Sequence, residues 1–440
     1  MSGMTMNRRK LLQLLGSGSA LAVAGPLATG VAAARSSGRV VVVGGGFGGA
    51  TAAKYLKRMD PGLDVTLVEP AREFYTCPFS NLYLGGMRDM QHIAHGYDEL
   101  RNRYGVRVVH QLAEDVDAAA HTVTLADGEI LAYDKLVLSP GIDIDYEALE
   151  GYDETVAEDI PHAWKAGEQT RTLRRQLEAM DDGGTFILTA PANPFRCPPG
   201  PYERVAQIAH YFSEHKPRSK ILVLDAKDAF SKQGLFMDGW QAHYGDMIEW
   251  VGQSDDGRIV RVDGAERAVE SEFGEIHRAD VLNVVPPQKA GFIADRAGVT
   301  DGSGWVPIKP YTFESSQVDD IYVVGDATIA APMPKSGFCA NAQGRVTAAA
   351  IVAALQGRDP VPPSWTNTCY SVIAPDYAVS VAGVYRVVDG EITEVEGSGG
   401  LSPREADADF RRREVDYAIR WYNAISMDAW GTTGLPRELS

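Results

Sequence analysis

Short unbroken apolar runs alternate along the chain with longer mixed stretches of helical period, and that alternation sets the fold class. The run 39-RVVVV-43 leads through a glycine-rich turn into an alanine-rich helix ending near residue 58, and 64-DVTLVEP-70 follows as a second strand. Runs this apolar are expected of strands covered on both faces, as in parallel sheets. Further strands are predicted within 132-AYDKLVLSPG-141, over 185–190 and 221–226, and within 312-TFESSQVDDIYVVGDAT-328. A long alanine-rich helix is predicted at 338–355, short strand-like runs within 377–388, and a final helical stretch over 408–425. The order of strands and helices predicts an α/β protein. A first αβ domain covers 35–150 and resumes over 276–358, interrupted by a second αβ domain at 151–275. The hydrophilic break 356-QGRDPVPPSW-365 introduces a small C-terminal α+β unit, 359–440.

Charge and address narrow the function. The 440-residue chain carries a formal charge of −17, which argues against nucleic acid as a partner, because phosphate contacts need clustered Lys and Arg. Residues 1–34 read as an export signal: Arg8, Arg9 and Lys10 precede an apolar small-residue run that ends in Ala32-Ala33-Ala34. The paired arginines resemble a twin-arginine signal, the route for proteins exported already folded, and imply a periplasmic location. A membrane anchor is the other reading of the same run. Its 24 residues (11–34), broken by glycines, make a poor span, and no integral membrane segment is expected after signal removal. Cleavage removes three of 42 basic residues, leaving 39 against 59 acids, or −20. Four cysteines remain: Cys77, Cys197, Cys339 and Cys369. No C-x-x-C-H occurs, so no haem is expected on this chain, and no metal site is assigned.

The glycine turn is Gly44-x-Gly46-x-x-Gly49, set between strand and helix. Gly44 permits the tight turn, Gly46 admits a pyrophosphate, and Gly49 lets the helix approach the strand. Glu69, twenty residues beyond Gly49, ends the second strand where a carboxylate can accept ribose hydroxyls. Gly325-Asp326, at the end of the 312–328 segment, resembles the second FAD motif of glutathione-reductase-like flavoproteins, in which the aspartate binds the ribityl chain. Residues 132–141 resemble their chain-crossing segment. The expected architecture is therefore a glutathione-reductase-like FAD/NAD(P)-binding fold of two nucleotide domains, with FAD in the first. The equivalent turn of the second domain, 189-TAPANPFRCPPGPYE-203, has no GxGxxG, and its prolines remove amide donors a phosphate would need. No NAD(P) site is expected there.

Cys77 in 74-FYTCPFSNLYLGG-86, Cys197 in the proline-rich turn and Cys369 in 366-TNTCYSVIAPDYA-378 all fall where the flavin ring is expected. A buried core cysteine is the other reading of each. With these segments the chain resembles the flavoprotein subunit of flavocytochrome c sulfide dehydrogenase. The segments are 43-VGGGFGG-49, 75-YTCPFSNLYLGG-86, 196-RCPPGPYER-204, 334-PKSGFCANAQG-344, 367-NTCYS-371 and 417-YAIRWYNAI-425. The resemblance implies FAD bound covalently through Cys77 and a redox-active disulfide between Cys197 and Cys369. Glu203 would manage protons beside it, unless it is only a helix-start glutamate. Lys335, before the alanine-rich helix, would add positive charge near the flavin, unless it faces solvent. Cys339 reads as structural. The implied activity is oxidation of sulfide, with electrons passed to a c-type cytochrome subunit in a heterodimer. Residues 359–440 then supply one half of the disulfide and the cytochrome interface. The alternative is a sulfide:quinone oxidoreductase, although Arg411-Arg412-Arg413 interrupts the final helix against membrane insertion. Trp421, Tyr422 and Trp430 are expected to pack on the body or on a partner.

Overall fold

The computed structural model describes residues 38–431; the export signal lies outside the described residues. Five parallel strands form the first sheet, in the order Ile321–Val323, Lys135–Leu138, Arg39–Val43, Asp64–Val68 and Arg107–Val109. Val40 to Val43 are at most 7% exposed, packed among the helices of this domain and the antiparallel sheet Ala113–Asp117, Thr122–Leu125 and Ile130–Ala132. Each such valine contributes roughly 1.5–3 kcal/mol by leaving water. The Phe47–Met59 and Gly337–Leu355 helices pack on this sheet. Gly337–Leu355 is the one helix among the described residues long and apolar enough to cross a membrane, but two-thirds of it is buried in this core.

A second parallel sheet runs Ile248–Val251, Lys220–Asp225, Thr185–Ala190 and Val281–Val284. Its last strand lies beyond the boundary expected at 275. Phe186 to Thr189 pair with Val281 to Val284, so the second domain closes only when the chain has returned through an antiparallel excursion at 259–278. An antiparallel ribbon, Ile142–Ile144 with Gln288–Ala290, joins the two domains where the chain leaves and re-enters the first.

The C-terminal unit is one long hairpin rather than short strands. Ser364–Ala374 pairs with Tyr377–Val388, with Cys369 opposite Val381, and Glu391–Glu394 adds a third strand. The hairpin packs on the Gly200–His215 helix and is hydrogen-bonded to it at Val372: Val372 N donates to Glu203 Oε1 at 3.0 Å, and Val372 O accepts from Gln207 Nε2 at 2.5 Å. That docking turns Thr368 to Tyr370 toward the start of the helix. The Ala408–Ala429 helix then returns to the first domain. Lys54 Nζ donates to the carbonyls of Met427 and Asp428, Asp428 accepts from Tyr55 and Asn341, and Trp430 Nε1 donates to Gly45 O at 3.0 Å. Tyr422 and Trp430 are fully buried.

Candidate active site

One cavity of about 570 Å³ runs from the glycine turn to three of the cysteines. At its first end Gly44 has φ +96°, and a Cβ there would stand 2.2 Å from Ser139 O; a Cβ at Gly49 would stand 1.9 Å from Gly44 O. The turn is therefore closed to any side chain. Gly46 precedes the Phe47–Met59 helix without a side-chain cap, leaving the helix's first amides free toward the cavity. Glu69 Oε2 accepts from Gly45 N at 2.8 Å and Oε1 from Ala71 N at 3.0 Å, which fixes the carboxylate while lone pairs remain for hydroxyls. Further along, Asp326 lines the cavity and its Oδ1 is buried without a partner. Burial raises its carboxyl above the usual range, against the pull of Arg196 and Lys335.

At the other end stand Cys77, Cys197 and Cys369, all free thiols. Cys197 occupies the left-handed region, φ +58°, in the proline-rich turn. Its N–H donates to Lys335 O at 2.9 Å and its carbonyl accepts from Gly200 N at 2.8 Å, so the strained turn is held from both sides. Gly200 makes the sulfur fit, since a Cβ there would lie 3.0 Å from Cys197 Sγ and 2.9 Å from Trp164. The Cys77 and Cys197 thiols act on each other: Cys197, with Arg196 and Arg204 nearby, lowers the Cys77 thiol, and Cys77 together with burial raises Cys197. Cys369 lies within electrostatic reach of both, and burial raises its thiol against the pull of Lys232.

Glu203 lines the cavity in the first turn of the Gly200–His215 helix. Oε2 accepts from Asn81 Nδ2 at 2.9 Å and Oε1 from Val372 N. Burial outweighs these donors and raises its carboxyl, which makes the carboxylate a stronger base than an exposed glutamate. Behind it Arg204, 1% exposed, donates to Asn81 Oδ1, Asn283 Oδ1 and the carbonyls of His162 and Ala163, all of them neutral. Its charge acts on the cysteine end of the cavity, and burial lowers it to about 10.

Residues 170–286 match the family model for the central part of the sulfide dehydrogenase (flavocytochrome c) flavoprotein chain, and residues 361–430 match its flavin-binding part. Residues 38–177 match pyridine nucleotide-disulphide oxidoreductases. A sulfide dehydrogenase (flavocytochrome c) flavoprotein chain from Chlorobaculum thiosulfatiphilum is 72% identical over 43 residues, 10% of this chain and 90% of that one. The mitochondrial sulfide:quinone oxidoreductase of Mus musculus is 25% identical over 318 residues, 69% of each chain. The chain belongs to the FAD-dependent, sulfide-oxidizing oxidoreductases. It is related to both flavocytochrome c sulfide dehydrogenases and sulfide:quinone oxidoreductases. The crystal structure of the Aquifex aeolicus sulfide:quinone oxidoreductase shares the fold, with a TM-score of 0.66 at 17% identity over 90% of this chain and 93% of that one. The architecture is thus the two-nucleotide fold of the glutathione-reductase superfamily.

In this sulfide-oxidizing flavoprotein the residues present fit FAD: closed glycines, uncapped helix amides, a fixed Glu69 and the orphaned Asp326 oxygen are all placed to meet a dinucleotide. The C-terminal unit takes part as well, since Trp421 lines the cavity and Trp430 backs Gly45. Cys77, Cys197, Cys369, Glu203, Gly44, Gly46, Glu69 and Asp326 all line one cavity, and Gly49 supports its turn. Lys335 faces neither solvent nor the cavity directly, but stands behind the cavity-lining Asp326. Its Nζ donates to Asp326 O and Thr328 O and lies 3.7 Å over the Trp305 ring, outside the cavity lining, and burial lowers it to about 8. A nearby pair of carbonyls captured the ammonium. Cys339 is buried beneath the Gly337–Leu355 helix start, its N–H capped by Ser336 Oγ and its thiol pushed up to about 12 by burial. Sequence reasoning missed Asn81, Arg196, Arg204 and Lys232. The first three lie inside segments already singled out, 75-YTCPFSN-81 and 196-RCPPGPYER-204; Lys232 stands in no recognisable motif.

Proposed function

We propose that this flavoprotein oxidises hydrosulfide through a disulfide between Cys197 and Cys369, holds FAD covalently through Cys77, and delivers electrons to a c-type cytochrome subunit in the periplasm. The observation that carries the reading is the convergence of three thiols and a buried carboxyl on a cavity that begins at a dinucleotide turn. Hydrosulfide attacks the disulfide, leaving a persulfide on one sulfur and a thiolate on the other. Arg196 and Arg204 stabilise negative charge near Cys77 and Cys197, and Glu203 takes and returns the proton. The Gly44 turn, Glu69 and Asp326 would hold FAD, which would supply an acceptor able to pass from two-electron to one-electron chemistry.

The cytochrome acceptor is supported by the two matches to flavocytochrome c family models. A quinone acceptor is the second reading, supported by the longer alignments, which are to sulfide:quinone oxidoreductases. Export is supported by Arg8-Arg9 and the small-residue run after it. Intact-mass analysis of the denatured protein tests the covalent flavin; flavin lost entirely to the acid supernatant rules it out. Anaerobic mixing with sulfide should bleach the flavin, and NADH should not. Reoxidation by a c-type cytochrome but not by a soluble quinone supports the first acceptor, and the reverse result replaces it with the second. Co-purification of a haem-bearing subunit at fixed stoichiometry tests the heterodimer.

A further inference from the structure

A single buried cation stands against the cysteine end of the cavity with no role in the reading above. Lys232 lies at the start of the Gln233–Tyr244 helix in the left-handed region, φ +63°, and is 4% exposed. Its Nζ donates to Ser371 Oγ at 2.8 Å and to Cys369 O at 3.4 Å, and lies 4.0 Å from Cys369 Sγ. Hydroxyl and carbonyl are neutral, and among the described residues no carboxylate comes within ion-pair distance of this ammonium. A buried cation without a counter-ion is costly and marks a place prepared for a negative charge. The side chain is also stretched to one strand, touching Cys369 and Ser371 two residues apart on the same edge of the hairpin.

We propose that Lys232 is a further catalytic residue: its ammonium receives the hydrosulfide anion at Cys369 and then holds the persulfide anion formed there. The proposal rests on the Cys197–Cys369 disulfide. Hydrosulfide forms a bond to Cys369 Sγ, the Cys197–Cys369 bond breaks, and its electron pair departs on Cys197 Sγ as a thiolate. No outside oxidant enters, because the disulfide itself is reduced. The persulfide proton passes to Glu203, which faces the same thiols. The polarity follows from the distribution of cations. Of the cysteines Lys232 touches only Cys369, whereas Arg196 and Arg204 act at the Cys77–Cys197 end, where the departing thiolate would rest. The charged and titratable groups facing Cys369 are Lys232, Glu203, Cys77, Cys197 and Cys339.

The test uses the oxidised holoenzyme and its Lys232→Met and Lys232→Arg variants. Non-reducing peptide mapping comes first. Absence of a Cys197–Cys369 bridge in the natural protein defeats the disulfide reading, and this inference with it. With the bridge present, one equivalent of sulfide is added anaerobically and the thiols are alkylated. One extra sulfur is expected on the Cys369 peptide; finding it on the Cys197 peptide overturns the assignment whatever the variants do. In steady state, Lys232→Met should lower kcat/KM for sulfide on the order of 10²-fold, chiefly through KM, with bridge and flavin content retained. Lys232→Arg should recover it to within about tenfold, because the charge is kept. A folded, bridged Lys232→Met protein within about threefold of the natural one overturns the proposal.

Discussion

The two nucleotide domains place the same parts in the same order and use them oppositely. In the first, a strand turns through closed glycines into an uncapped helix, and Glu69 at the end of the next strand keeps lone pairs toward the cavity. In the second, the strand Thr185–Ala190 turns through prolines and Cys197 into the Gly200–His215 helix, and the acid at the end of the next strand is Asp225. Asp225 is fully buried and already taken: it accepts from Tyr202 Oη at 2.6 Å, Trp250 Nε1 at 3.0 Å and Lys227 Nζ at 2.5 Å. Tyr202 stacks on Phe230 with ring centroids 3.6 Å apart. Side chains from the domain itself engage the acid that in the first domain stays free for a ribose, and the turn presents a sulfur to the cavity. An inherited αβ skeleton therefore fixes where chemistry occurs but not which chemistry.

This contrast can be broken most sharply at the second turn. Replacing Cys197 or Cys369 with serine should reduce sulfide turnover at least about 10³-fold while flavin stays bound, because only the sulfur end of the cavity is altered. Steady-state assay with the flavin absorbance ratio checks both halves of that expectation, and loss of flavin in either variant would erase the proposed division of labour. In the first turn, Gly44→Ala should do the converse. Its Cβ would meet Ser139 O at 2.2 Å in a left-handed conformation, costing about 3–5 kcal/mol and emptying the flavin site. Thermal melting and flavin content are the measurements.

Each side of the crevice also holds a buried histidine. Burial lowers His95, bonded to Tyr422, to about 4, and burial with Arg204 lowers His162 to about 3. Folded values below the unfolded one mean that their stabilisation is present above about pH 6.5 and is lost as pH falls toward the folded values. From about pH 6 to 5 the pair should cost roughly 2–3 kcal/mol, read as a falling denaturation midpoint. Variants with either histidine replaced by glutamine should show a shallower slope. The smallest effect is expected at Tyr202→Phe, which leaves Asp225 two partners and should cost about 1–2 kcal/mol without creating NADH affinity. Measurable NADH binding by that variant would mean the second site is only lightly closed.

Much of this was legible in the chain. The runs 39-RVVVV-43 and 185-TFILTA-190 read as strands because both faces of a parallel sheet are buried, and the glycine spacing announced a dinucleotide turn. The boundary at 275 failed because Val281–Val284 is short, contains Asn283, and follows a polar hairpin; only its pairing to Thr185–Ala190 assigns it. The strand Ser364–Ala374 was hidden by 366-TNTCYS-371, whose Thr368 and Ser371 face the cavity rather than a core. Lys232 and Lys335 show the remaining gap. A lysine's role depends on which distant acceptors lie within reach of a long side chain, and nothing local records that Cys369 waits for one and Thr328 for the other.

The bond from Trp430 to Gly45 links residues 385 positions apart. During synthesis the glycine turn therefore leaves the ribosome long before the indole that backs it is made. Throughout that interval the turn lacks its Trp430 support, and Lys54 lacks the carbonyls that fix the adjoining helix. The turn gains its full backing only after the last helix has been translated and has folded back. A ribosome-stalled chain ending before Asp428 would contain every phosphate-facing residue and still present an unfinished binding turn.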